Sequence, residues 1–404
     1  MSKILYIARR LGLSDSDIKK YICFGVIWLF ILPYKWLFTS RGWFNNRQYI
    51  NWKRCKKDLC YRANWLCDKV IVEPNTLLAS MPQFLGDHYC GEWAIYTCSM
   101  LVASLGNISR IYPEERSDNL PRMAKLIDII LSPELRNYDT YSWKEDAIES
   151  LSGNNSHMTY LSILAWAITN YKMAGGDNKY DPLLDECCEA LHRRMLKSRD
   201  LNLQSFPVPI IFFPDMLVTI VALKNYATLY NGRYGDTVQS WLSRARNEWM
   251  DEKTGLLRSY LYYSNAGTNK QKTIRGSYSA LSCYYLTLID KKFAKEQYVN
   301  MKTVFLHSRP FTGIREYMDK SPKLLFDVDS GPITFGLSPS GTAFAIGCAT
   351  FFNDYKLRTQ LLRSGEIVGQ TVYGKKKRHY RLGELVIVGE AVVLAMKTNV
   401  QSEQ

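Results

Sequence analysis

The chain has 404 residues, 47% hydrophobic and 22% charged, which is apolar material enough for a sizeable core and excludes disorder over most of its length. Its formal net charge of +14 sits at one end: residues 1–57 hold 12 Lys and Arg against Asp15 and Asp17, a balance of +10 that leaves +4 for all the rest. So ordinary a surface beyond residue 57 excludes a nucleic-acid groove, and no nucleic-acid partner is expected.

In chain order the first element is "KKYICFGVIWLFILPYKWLF". Tyr21 to Tyr34 carries no charge, and with Lys35 snorkelling the apolar run extends to Phe38. That is near the minimum a helix needs to cross ~30 Å of hydrocarbon. No small-residue cleavage site follows, and Trp28, Trp36, Trp43 and Trp52 read as interfacial anchors rather than as parts of a signal peptide. The expected division is a basic segment 1–20, a membrane anchor 21–38 that partners the lipid bilayer, a basic juxtamembrane linker 39–75 and a main domain 76–404. Positive charge flanks the anchor on both sides, which tilts the main domain towards the cytosolic face. The ten cysteines fit that side of a membrane, since they follow neither a disulfide framework nor zinc-ligand spacing.

From about residue 90 onward the apolar period is helical. Eleven stretches, from "GEWAIYTCSMLVASLGNIS" to "YRLGELVIVGEAVVLAM", place Leu, Ile, Ala, Tyr or Trp at i, i+3, i+4 and i+7. They alternate between wholly apolar, as in "PDMLVTIVALKNYA", and amphipathic, as in "DTVQSWLSRARNEW". Buried and half-exposed helices in alternation describe a closed ring of αα-hairpins, so the fold class is all-α, an (α/α)6 toroid carrying an N-terminal membrane-anchor helix. A superhelical array is the rival, but no self-similarity at a fixed period appears. In a toroid the loops at one end collect polar residues over the central cavity.

The candidates follow in chain order. Glu92 and Tyr96, with Trp93 between them, share the start of an inner helix. "NYDTYSWKEDAIESL" leads to "GNNSHMTYL", which groups Trp143, Asp146, His157 and Tyr160; a lone His there is either a satisfied core group or a catalyst. In "FPVPIIFFPDMLVT" Asp215 follows Pro214 at the entry to the most apolar helix. It is either a first-turn acid favoured by the helix dipole or, if it faces a cavity lined by Phe212 and Phe213, an acid whose pKa burial raises. "RLGELVIVGEAVV" carries Glu384 and Glu390 in an apolar helix, where they need cationic partners. Finally, "DVDSGPITFGLSPSGTAFAIG" sets Asp327 and Asp329 two apart before Gly331-Pro332 and a run of small residues. In extended backbone the two acids point the same way, so one cavity receives both with unequal pKa values. The small residues admit either another helix or a substrate. Phosphate-cradling, dinucleotide, zinc-protease and nucleophile-elbow motifs are missing, so neither a metal nor a cofactor is expected.

From about residue 91 to 372 the order of "EWAIYTCSMLVASL", "WKEDAIE", "SHMTYLSILAWAI", "GRYGDTVQSWLSRARNEWMDEKTGLLRSYL" and "YSALSCYYLTLIDKKFAKEQY" resembles bacterial linalool dehydratase-isomerase and its relatives. The resemblance implies an (α/α)6 toroid and a cofactor-free dehydration or isomerisation, with His157 at an active-site histidine and Tyr96 near an active-site tyrosine. Two cysteines of that family fall here on Ser205 and Pro214, beside Asp215, so linalool itself is not the expected substrate. The expected function is a membrane-tethered acid-base enzyme that makes or breaks a C–O bond of an apolar or amphiphilic small molecule. His157 and Asp215 would exchange the proton, with Asp327, Asp329 and Tyr96 assisting, while Glu92, Trp93, Trp143, Asp146, Tyr160, Phe212 and Phe213 hold the substrate. The alternatives are a glycan-acting toroid, whether glycoside hydrolase or polysaccharide lyase, and a non-catalytic membrane-bound scaffold.

Overall fold

The computed structural model describes residues 55–264, 267–269, 274–309, 311–319 and 326–401, together with Lys19, Lys20 and Gly25. In chain order the α-helices are α1 (Lys56–Val70), α2 (Pro74–Ala79), α3 (Asp87–Ile111), α4 (Arg116–Ile130), α5 (Pro133–Trp143), α6 (Met158–Met173) and α7 (Asp181–Lys197). They continue with α8 (Phe213–Leu229), α9 (Gly235–Glu248), α10 (Gly276–Thr287), α11 (Lys291–Phe305), α12 (Pro339–Phe351), α13 (Tyr355–Gly369) and α14 (Ile387–Thr398). Helices with almost no charge have no face to give to water, and these go to the centre. In α10, 11 of 12 residues are buried, and in α6, 13 of 16, against 5 of 14 in the amphipathic α9.

The central helices pack in the cyclic order α3, α6, α8, α10, α12, α14 and back to α3. Each carries an outer partner: α4 on α3, α7 on α6, α9 on α8, α11 on α10 and α13 on α12. The sixth outer position is taken by α1, which packs on both α14 and α3. Six inner and six outer helices make an (α/α)6 toroid. Lys56–Val70, which the sequence reading assigned to the linker 39–75, is therefore part of the ring.

Small residues make the inner seams. A Cβ on Gly347 of α12 would come 2.3 Å from the Met396 sulfur of α14, and one on Gly276 would sit 1.8 Å from the carbonyl oxygen of Arg315. The run of small residues after Pro332 thus serves helix packing, the first of its two readings. Within the inner layer, hydroxyls of Ser162 and Thr219 bond at 2.6 Å between α6 and α8, so the polar atoms the seam buries are satisfied.

The fold is not purely helical. Short strands precede three of the inner helices, α8, α10 and α12, at one end of the ring. β1 (Ile210–Phe212), β2 (Tyr260–Ser264) and β3 (Gly267–Asn269) form an antiparallel sheet that aligns Phe212 with Tyr260. β4 (Leu306–His307) and β5 (Gly313–Arg315) join β8 (Leu337–Ser338), and between them β6 (Phe326–Asp327) pairs with β7 (Gly331–Pro332). Away from this rim, β9 (Thr371–Gly374) and β10 (Lys377–Tyr380) make a hairpin against α1.

Two expectations about the periphery need statement. The anchor 21–38 lies outside the described residues except for Gly25, and among the described residues no helix is long and apolar enough to cross a membrane. The described residues therefore give the anchor no support. The nine cysteines among the described residues are free thiols.

Candidate active site

The inner helices all present their N-terminal turns to the strand-bearing end of the ring, and there four acids collect. Asp215 occupies the first turn of α8, Glu92 the second turn of α3, and Asp327 and Asp329 the turn between β6 and β7. Gly331, at φ +70°, lets that turn close, and the amide of Asp329 donates to the Asp327 carboxylate at 3.0 Å. Glu92, Tyr96, Asp215 and Asp327 each keep part of their surface open, and Asp329 is exposed as a residue while its carboxyl turns in to the buried Tyr278, so the group lines a recess rather than a sealed core.

The acids differ in their surroundings. Burial raises the Asp215 carboxyl to about 7, against the hydrogen bond Ser205 donates to it at 2.5 Å and with help from the charge of Asp329. Burial, then Asp215 and Asp329, hold Glu92 well above the ordinary carboxylate range. Asp329 is also raised by burial and by Asp327, although Tyr278 donates to it at 2.6 Å. Asp327 is lowered: burial opposes its charge, but the Arg275 guanidinium 2.8 Å away prevails. Three carboxyls that share one recess are therefore held above the ordinary carboxylate range, beside a fourth that its arginine holds below it.

Arg275 anchors this arrangement. It pairs with the fully buried Glu316 at 2.5 Å, and its guanidinium lies 4.7 Å from the centroid of the Tyr278 ring. Glu316 also accepts from the amide and hydroxyl of Ser277 at 3.1 and 2.9 Å, which fixes the first turn of α10 below the recess. Aromatic rings form the walls. Phe212 stands edge-on to Tyr278 at 6.4 Å and close to Tyr260, and at the mouth the exposed Phe84 and Phe326 meet at 6.1 Å. Tyr96 reaches the floor, where its hydroxyl bonds that of Tyr285.

Other candidates go elsewhere. His157 is fully buried, its Nδ1 at 2.6 Å from Asp139 and its Nε2 at 3.1 Å from Glu145, as the left-handed N-cap of α6. Ser150 lies 3.3 Å from Nε2, but its hydroxyl is donated to the carbonyl of Asp146 at 2.7 Å, so the trio does not activate a serine. Asp146 pairs with Arg136 at 2.6 Å and accepts the amide of Ile148, a turn-forming role. Tyr160 is buried and donates to the carbonyl of Ile130. Phe213 is fully buried between Trp241 and Trp249. Trp93 is half-buried against the core beside Glu92, while Trp143 lines a separate groove of about 510 Å³ with Arg194, Asn202 and Tyr263. The recess thus unites Glu92, Tyr96, Phe212, Asp215, Asp327 and Asp329. It adds Arg275, Tyr278 and Glu316, which sequence reasoning missed; only "RGSY", a charged residue and a glycine at a helix entry, marked the first two.

Fold and recess define an (α/α)6 toroid with a carboxylate-lined, aromatic-walled mouth. Two solved structures share the fold. An unsaturated glucuronyl hydrolase specific for heparin matches with a TM-score of 0.55 and 12% identity over 88% of this chain and 97% of its own. A glycoside hydrolase from family 105 of C. acetobutylicum ATCC 824 matches with a TM-score of 0.50 and 11% identity over 74% and 92%. No family model matches the sequence and no curated protein does.

These findings overturn the resemblance to linalool dehydratase-isomerase, because the structural similarities are to sugar-acting hydrolases. They also overturn the membrane-tethered enzyme with an apolar substrate and the bilayer as partner. An apolar molecule would strip water from Glu92, Asp215 and Asp329 and return no hydrogen bond.

Proposed function

We propose that the chain is a glycan-acting enzyme that breaks a glycosidic C–O bond by acid-base catalysis. The observation that carries this is the meeting of Glu92, Asp215 and Asp329 from three separate elements in one aromatic-walled recess, with Asp215 raised to about 7. Likeness of fold to a heparin-specific unsaturated glucuronyl hydrolase supports a saccharide substrate.

In this reading Asp215, whose pKa of about 7 keeps a proton on part of the enzyme at neutral pH, gives that proton to the bridging oxygen as the C–O bond breaks. Asp329, whose anion the Tyr278 hydroxyl favours, takes a proton from the water that adds to the anomeric carbon. Glu92, held well above the ordinary carboxylate range by its burial, hydrogen-bonds a sugar hydroxyl, and Phe212 and Tyr278 offer ring faces to the sugar. The test is an assay of the full chain on end-labelled oligosaccharides, including those that end in an unsaturated uronyl residue, with Asp215→Asn and Asp329→Asn as controls. Turnover of at least one oligosaccharide, reduced by about 10²–10⁴-fold in Asp215→Asn, is expected. A full panel without turnover, or an Asp215→Asn enzyme of undiminished rate, overturns the proposal.

A further inference from the structure

The groove of about 510 Å³ beside Trp143 has no part in the chemistry of the recess, yet it has the volume of a small-molecule site. One wall comes from the end of α5 and the loop into α6, with Trp143, Asn154 and Asn155. The other is the segment between α7 and α8, with Asn202 and Gln204, and Tyr263 of β2 completes the lining. That segment is shared with the recess: Gln204 and Ile211 line the groove, while their neighbours Ser205 and Phe212 serve the recess, Ser205 through its hydrogen bond to Asp215.

The groove is braced from within. Arg194, 3% exposed, donates to the carbonyls of Ser150 at 2.8 Å, Ser156 at 3.0 Å and Gly153 at 3.3 Å, which holds the first wall. Ser156 donates across to the carbonyl of Gln204 at 2.6 Å and ties the walls together. Trp241 donates its indole N–H to Oδ1 of Asn202 at 2.9 Å, so the amide is oriented and its Nδ2 is left over. That Nδ2, on a residue 4% exposed, comes near the Tyr263 oxygen without bonding it, and Tyr263 gives its own proton to Asp200. The Asn202 Nδ2 and the Trp143 Nε1 are both buried without a hydrogen-bond partner among the described residues. A buried donor left unpaired is unfavourable, and two of them on the wall of one groove mark where the oxygens of a ligand belong. An acceptor stands beside them, since the Asp200 carboxylate takes the Tyr263 hydroxyl and keeps further lone pairs. That carboxylate is a poor neighbour for a bare anion, and the unpaired amide and indole N–H groups are poor neighbours for an apolar guest. Hydroxyls that both give and accept, on rings whose C–H faces lie against aromatic side chains, answer the whole set.

We propose that this groove is a distal subsite for pyranose units of the same glycan, away from the bond that is cleaved, with Trp143 Nε1 and Asn202 Nδ2 donating to sugar oxygens. The inference rests on the glycan reading above.

The experiment measures kcat/KM of the full chain over a ladder of end-labelled oligosaccharides of increasing length. The value rises with length to a plateau, and in Trp143→Phe, which keeps a ring and deletes the N–H, the ratio of the longest to the shortest falls by about tenfold. Crystals of Asp215→Asn soaked in the longest oligosaccharide show sugar rings in the groove, with oxygens at hydrogen-bond distance from Trp143 Nε1 and Asn202 Nδ2, which reads the site even if the Trp143 variant does not fold. Turnover with no dependence on length, a ratio that Trp143→Phe leaves intact, or sugar confined to the recess overturns the subsite alone. A ladder with no turnover at any length overturns the glycan reading, and this inference with it.

Discussion

Asn in place of Asp215 is expected to yield an inactive protein that is more stable than its parent at neutral pH. The native carboxyl has its pKa raised from 3.8 to about 7, so the fold favours the protonated form. Below pH ~4 the group is protonated folded and unfolded alike, and it costs nothing. Between pH ~4 and ~7 the unfolded chain releases the proton while the native state keeps it, so stability falls as pH rises; above ~7 the penalty is constant. Displacing the pKa that far corresponds to about 4 kcal/mol as an upper bound. The carboxyl opens on to a solvated recess, which reduces this to about 2 kcal/mol at pH 8. Asn keeps the size and still accepts from Ser205, so the variant should show the gain in urea unfolding at pH 8 and lose it at pH 4. Equal or lower stability of the variant at both pH values would refute the argument and return Asp215 to the part of a first-turn helix acid.

Further predictions address the supports. Arg275→Met leaves Glu316 buried without its charge partner and should cost about 3–5 kcal/mol in denaturant unfolding, whereas Asp327→Asn, on the open side of the same arginine, should cost less than about 1. Phe213→Ala should lose about 3–5 kcal/mol, while the adjacent Phe212→Ala should leave unfolding nearly unchanged and raise KM for an oligosaccharide. His157→Ala should destabilise by about 2–4 kcal/mol, because it strands the buried carboxyl of Asp139, and should change turnover per folded molecule only a few-fold. Gly276→Ala should abolish soluble expression, since the added methyl meets backbone and not a yielding side chain.

The ring was legible because its two helix types differ in composition: "PDMLVTIVALKNYA" has no polar face and "DTVQSWLSRARNEW" has one, so layer follows from pattern. Asp215, Asp327, Asp329 and Glu92, which the structure brings together, stand out in the sequence for a related reason, being acids at the entries of apolar segments. Phe212 and Phe213 show the limit. They are neighbours of one type, and only the turn from strand to helix at Phe213 sends one ring to the recess and the other to Trp241 and Trp249. Arg275 and Glu316 pair across 41 residues, and Arg62 and Glu390 across 328, separations at which no local periodicity carries information. α1 escaped for the opposite reason: its sequence is rich in Lys and Arg, and of these Arg62 faces Asp58 and Glu390 while Lys56 faces Glu114.

The placement of α1 beside α14 bears on how the molecule is made. During synthesis the first outer helix leaves the ribosome long before the inner helix it must cover, and the five hairpins between them can stack in the order of their appearance. The barrel cannot shut until α14 arrives, and the Arg62–Glu390 pair is the latch. Until then the nascent arc exposes an unzipped apolar seam on α3, the stage at which a chaperone or a second copy would find it.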